Sequence, residues 1–156
     1  MDGKQAAVLV RMDHQHFVNV IQDFSPSDAV VSPVPGMMTA AQQIRHIAHS
    51  CAWFREGAWG AGFDLDFAKM EAINSQPATL AEARAELDAA FAEFAAFLET
   101  QSAADLMVPL PENPLFGQAP RLSVVRANCD HTAHHRGSLA VYLRLLGKTP
   151  RMPYAG

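Results

Sequence analysis

The chain is predicted to fold as an all-α four-helix bundle. Three observations carry that prediction. Four long segments repeat apolar residues at helical spacing, proline-rich stretches separate them, and no stretch of convincing length alternates apolar and polar residues as a half-buried strand would. With 156 residues, 49% of them hydrophobic, a single domain spanning residues 1–156 buries roughly 68–70% of its unfolded surface. No metal or disulfide is then needed to hold the fold, so a metal site would be chemical rather than structural. Bundle cores commonly hold such sites.

The first helix is expected over residues from about 4 to 23, where nothing breaks the periodicity. SPSDAVVSPVPG (25–36) ends it with three prolines and a glycine. Thr39 followed by Gln42 is a capping-box pattern, and the helix it opens runs to about Gly60 with Ile44, Ile47, Cys51, Phe54 and Ala58 on one face. GAGFDLDFAKMEAINSQP (60–77) reads as a loop with a short helical turn. Thr79 and Glu82 form a second capping box, before an alanine-rich helix that presents Leu80, Leu87, Phe91, Phe94 and Leu98. VPLPENPLFGQAP (108–120) cannot be a long helix. The last helix is expected from about Leu122 to Leu146, closed by Gly147 with Pro150 beyond.

Charge and composition narrow the function classes. The net charge is -4 and no Lys/Arg-rich run exists, which argues against a nucleic-acid partner. The N-terminal MDGKQAAVLVRMD carries charges too early for a signal peptide, and no apolar stretch approaches the ~20 residues that span a bilayer. Cys51 and Cys129 do not suggest a secreted disulfide scaffold. The expectation is a cytoplasmic protein with no membrane partner.

The chemistry concentrates in HTAHHRG (131–137), which holds three of the seven histidines. With Leu139 as the centre of the last helix's core face, His135 lies about 40° away, His131 about 80° and His134 about 140°. His131 and His135, one turn apart, therefore share the inward face and can reach one ion. A third ligand must come from another helix. In QIRHIAHS, His46 lies about 100° from the core residue Ile47 and His49 about 160°, which selects His46. Three neutral imidazoles leave coordination positions open, as in catalytic sites. The spacing is not that of a zincin, because Thr132 stands where that motif has its glutamate. No nearby carboxylate offers itself as a base.

PVPGMMTAAQQIRHIAHS (33–50), NCDHTAHHRGSLAVYLRLLGKTP (128–150) and the closing RMPY (151–154) resemble the DinB/YfiT-like family nearly end to end. The resemblance implies a four-helix bundle, often dimeric, with a divalent ion such as nickel or zinc. Its histidine in the second long helix and its HxxxH pair in the last fall on His46, His131 and His135. Ser138 departs from the family, which commonly has glutamine there, and it is not expected to touch the ligands. The family's acidic residue shortly after the second-helix histidine is absent. Relatives include enzymes that transfer low-molecular-weight thiols to electrophiles and others described as metal-dependent hydrolases. A thiol needs little help to ionise, whereas water usually needs a proton acceptor. The expected activity is therefore thiol S-transfer on a small-molecule substrate, with hydrolysis or a non-catalytic metal-binding stress-response role as alternatives.

Several further residues carry expectations. Arg136, about 60° from Leu139, is a candidate for binding an anionic substrate or else a surface ion pair. His14 and His16 read as solvent-exposed, and Met37, Met38 and Met107 as gap-filling core residues. Trp53, Trp59 and Phe63 fit a core, an interface or a pocket lining. Cys129 falls off the His131 face and is not counted as a ligand. Ala133, Gly137, Val141 and Leu145 lie on the reverse of the last helix, so either the 108–120 segment or a second copy in a homodimer must cover them. Because metal binding needs neutral imidazoles, occupancy is expected to fall as pH drops through roughly 6 to 5.

Overall fold

Local capping chemistry fixes where the helices begin. Thr39 and Gln42 exchange their side-chain and backbone hydrogen bonds to open α2 (Ala40–Trp59), and Thr79 and Glu82 do the same for α4 (Leu80–Glu99). Asp2 and Gln5 form a third such box at the start of α1 (Gly3–Ile21). The long last helix, α6 (Leu122–Leu145), ends where Gly147 adopts a φ of 75°. That left-handed turn lets the Lys148 amide donate to the Leu143 carbonyl at 2.9 Å, satisfying a carbonyl the helix leaves unpaired. Short elements complete the chain: a 3-10 turn (Pro26–Val30), α3 (Phe67–Asn74) and α5 (Ala103–Leu106). The structure, a computed structural model, describes residues 1–154, and among these no strand occurs beyond one isolated bridge between Pro109 and Pro120.

The four long helices pack as a bundle in which α1 and α2 occupy opposite corners, each against α4 and α6. Side-chain pairs give the directions. Arg45 with Glu86 and Arg55 with Glu93 make α2 and α4 parallel, and Asp13 with Arg136 and Asp23 with Arg151 make α1 and α6 parallel. Arg121 donating to the Ala58 carbonyl, with His46 beside His131, makes α2 and α6 antiparallel. Parallel α2 and α4 require the chain to climb back along a helix of about 30 Å. The segment 60–79 makes that return and carries α3 past the side of α2.

The core is built from faces the periodicity selects: Phe17 and Ile21 on α1, Ile44, Ile47 and Cys51 on α2, Leu87, Phe91 and Phe94 on α4, Leu139 and Leu143 on α6. A second cluster closes one end, where Leu110 of the 108–120 segment packs with Phe54, Ala58 and Val124. Phe63 folds back over α2 at Gly57, where a Cβ would lie 2.2 Å from the Phe63 ring. No helix is long and apolar enough to cross a membrane among the described residues.

Three expectations about side-chain placement are corrected. Met37 and Met107 are 44% and 57% exposed, and Met38 is half-buried, so they do not fill core gaps. His14 and His16 are only partly exposed: His14 donates to Asp88 at 2.8 Å and its ring lies 5.0 Å from that of Phe91, while His16 meets the Tyr154 ring edge-on. The 108–120 segment does not cover the reverse of α6, because it is committed to the Phe54 cluster. Val141 and Leu145 there are 52% and 65% exposed, and nothing lies near a Cβ built on Gly137.

Candidate metal centre

His46 projects from α2 toward α6, and antiparallel packing brings it level with His131 and His135. One ring nitrogen from each of the three lies within 4.8 Å of the others. The Nε2 atoms of His46 and His131 are 3.2 Å apart, and the three ring centroids are separated by 4.6 to 5.0 Å. Two nitrogens bound to one ion at roughly 2.0–2.1 Å, with angles of about 90–110°, stand about 2.9–3.4 Å apart. The 3.2 Å between His46 and His131 fits shared coordination, and His135 stands close enough to join them. No cysteine or carboxylate joins the group among the described residues.

The electrostatics favour neutral, metal-ready rings. Burial pushes the His131 imidazole down to about 4, and the neighbouring His46 and His134 push it in the same direction against a smaller opposing pull from Asp130. Burial pushes His135 down to about 3, helped by His131, His46 and His134. His46 is also lowered, by burial first and then by His49. Three imidazoles held this close repel one another as cations.

Outer partners orient two of the rings. His135 Nδ1 donates to Gln43 Oε1 at 3.1 Å, which leaves its Nε2 lone pair facing the group. Gln43 is buried on α2, and its Nε2 donates to Ser138 Oγ at 3.2 Å. Ser138, at the position where the sequence departs from the family pattern, thus acts on a candidate ligand through Gln43. Asn74, the buried residue of α3, donates from Nδ2 to His46 Nδ1 at 3.0 Å. Such contacts fix ring rotation and tautomer and are part of a metal site's design. Sequence reasoning found neither. Gln43 stands one helical turn before His46, a signal that was there to be used; Asn74 sits in a segment without periodicity and gave none.

The remaining candidates lie elsewhere. His49 donates from Nδ1 to Asn74 Oδ1 at 2.9 Å and sits 3.4 Å from Glu86 through Nε2, outside the three-histidine group. His134 is exposed. Arg136 turns to the α1 side, where Nη1 lies 3.5 Å from Asp13 and the guanidinium lies over the Tyr154 ring. Both members of that pair are largely buried, at 14% and 13% exposure, so Arg136 forms an internal ion pair. Burial pushes Asp13 up to about 6 against the pull of Arg136. Cys129 also faces α1, lining a groove of about 430 Å³ with Leu9, Met12 and Val125, and burial pushes its thiol up to about 12.

An aromatic wall borders the histidines. The Phe54 ring is 5.9 Å from that of His131, and Phe116 and Trp53 continue the wall on either side of Phe63. Trp53 is fixed by donating from Nε1 to the Asp64 carbonyl at 2.8 Å. Trp59 instead packs toward Phe94 and Phe97.

No curated protein matches the chain. A family model described as the DinB superfamily matches residues 10–139, a span that contains all three histidines together with Gln43, Asn74 and Ser138. With an all-helical bundle and a three-histidine group able to hold a metal ion, the chain belongs to the DinB superfamily.

Proposed function

We propose that the chain binds one divalent ion, zinc or nickel, through His46, His131 and His135, and that it transfers a low-molecular-weight thiol to a small electrophile. The observation that carries this reading is the donor set: three imidazoles converge with no carboxylate or thiolate of the chain among them. Such a set leaves positions for outside ligands. When bound, the ion would lower the pKa of a thiol or water and so supply a nucleophile near neutral pH.

The chain's own residues contribute orientation and exclusion. Gln43 and Asn74 hold the His135 and His46 rings, and burial keeps all three imidazoles neutral. Phe54, Phe63 and Phe116 present an apolar surface that suits an electrophile and displaces water. Thiol transfer is favoured over hydrolysis because attacking water generally needs a base to take its proton, and no carboxylate oxygen falls within the three-histidine group among the described residues.

The test is a panel of low-molecular-weight thiols with an aromatic electrophile, run on zinc-loaded, nickel-loaded and metal-free protein. Metal-dependent turnover that saturates in thiol is the expected result. Thiol-independent cleavage of esters or amides would favour the hydrolase instead. Tight metal binding with no turnover would favour a metal-binding bundle without catalysis.

The uncovered reverse of α6 supports a second proposal, a homodimer packed partly through Ala133, Gly137, Val141 and Leu145. Apolar side chains on a helix face away from its own core call for a covering surface. Sedimentation at micromolar concentration is expected to give a dimer that Val141→Glu or Leu145→Glu dissociates. A monomeric wild-type chain would overturn the proposal.

A further inference from the structure

The hydrogen bonds around Asn74 constrain tautomers on both sides of it. Its Nδ2 can only donate, so His46 Nδ1, at 3.0 Å, must accept. A neutral His46 then carries its proton on Nε2, directed at His131 Nε2 3.2 Å away. The Asn74 Oδ1 can only accept, so His49 Nδ1, at 2.9 Å, must donate. As the side chains stand, His131 and His135 offer lone pairs at Nε2 while His46 offers a proton.

That arrangement cannot persist if His46 becomes a ligand through Nε2. Its single proton must then sit on Nδ1, where it would meet the Asn74 N–H group, donor against donor. Turning the carboxamide over resolves the conflict at once: Oδ1 accepts from His46 Nδ1, and Nδ2 now faces His49 Nδ1. His49 must in turn carry its proton on Nε2, and Glu86 Oε2 waits 3.4 Å from that atom. For neutral rings the exchange moves no net charge. Asn74 is only 8% exposed, and a buried carboxamide left facing the wrong partners on both sides would cost free energy at each.

We propose that Asn74 is a positioning residue whose carboxamide reverses when the three-histidine group takes up a metal, transmitting the change in His46 to His49. The inference rests on the metal-binding reading above and adds a way for occupancy of a half-buried site to be felt elsewhere. His49 joins the site to Glu86, which also holds Arg45 at 2.8 Å, so the relay ends at the α2–α4 contact. Asn74 is also the buried residue by which α3 docks, so the same reversal bears on how the 60–79 crossover is held.

The experiment is a titration of the metal-free, ¹⁵N-labelled 156-residue chain with zinc chloride, read by the ring nitrogen signals of the histidines. The expected result is that His46 moves its proton to Nδ1 as Nε2 becomes a ligand, and that His49 moves its proton from Nδ1 to Nε2 in step. Zinc affinity is expected to weaken about 10–100-fold in Asn74→Ala. Asn74→Asp should restore it, because a carboxylate accepts from His46 without turning, and in that variant His49 should keep its Nδ1 proton. A His49 ring that stays unchanged while His46 responds overturns the relay, and so does an Asn74→Ala chain that binds zinc as tightly as wild type. If the wild-type histidines take up no zinc, the metal reading itself fails. Because the central measurement uses the wild-type chain, a poorly folded variant does not decide the question.

Discussion

Replacing His131 or His135 with alanine is expected to abolish binding of the divalent ion at micromolar protein concentration. Each supplies one of three donors, and two imidazoles alone cannot enclose an ion. Outer partners of metal ligands are typically worth about 10–100-fold in affinity, so loss of a ligand should exceed that range. His46→Ala should behave alike, whereas His49→Ala should retain most of the binding because His49 lies outside the group. The measurement is metal content and zinc titration on protein purified without added metal or a histidine tag. Circular dichroism melts of the metal-free variants would separate loss of a ligand from loss of fold. Undiminished binding in either α6 variant would sink the assignment. Loss in His49→Ala with retention in His46→Ala would exchange the two α2 histidines.

The pH response should set in lower than unperturbed histidines would give. In the metal-free fold His131 titrates near 4 and His135 near 3, with His46 also lowered. Protons therefore begin to compete for the folded site only well below the ordinary histidine value of ~6.5, and zinc occupancy should collapse between about pH 5 and pH 3 rather than through 6 to 5. Stability of the metal-free protein follows the opposite edge of the same window. Below ~6.5 the unfolded histidines take up protons that the folded ones refuse. Stability should accordingly fall as pH drops from 6.5 toward 4, and be flat above it. Asp13 works against this, because its carboxyl, raised to about 6, binds a proton in the fold before it would in the unfolded chain. One carboxyl opposes three imidazoles, so the net slope keeps the histidines' sign. Thermal melts from pH 8 to pH 4 test the point. A melting temperature that stays level or rises from pH 6.5 to 4.5 would contradict it. The doubly substituted His131→Ala, His135→Ala chain should lose most of the fall.

What could be read in advance follows the range of the interactions involved. The His131/His135 pair was legible because a helix fixes the relative direction of side chains four residues apart. His46 was legible because the same arithmetic identifies which α2 histidine borders the core face. Arg136 was read by that arithmetic as a pocket-rim residue or a surface pair. What angle cannot give is the neighbour: Asp13 on α1 turns it into an internal pair. The surroundings of His14 escaped the arithmetic for the same reason, since Asp88 and Phe91 come from α4.

The sequence by itself determined the four long helices, because caps such as Thr39 with Gln42 and Thr79 with Glu82 act within three residues and Gly147 acts at its own φ. It also determined that two imidazoles share one face of α6. Only the tertiary structure decided how closely the third imidazole approaches the pair and which outer residues hold it. Antiparallel packing of α2 on α6 sets the 3.2 Å between His46 and His131, 85 residues apart in the chain. The return of the 60–79 crossover along α2 delivers Asn74 to His46 across 28 residues. Both depend on where whole helices come to rest, which is set by the burial of many apolar side chains at once and is written in no single stretch of chain.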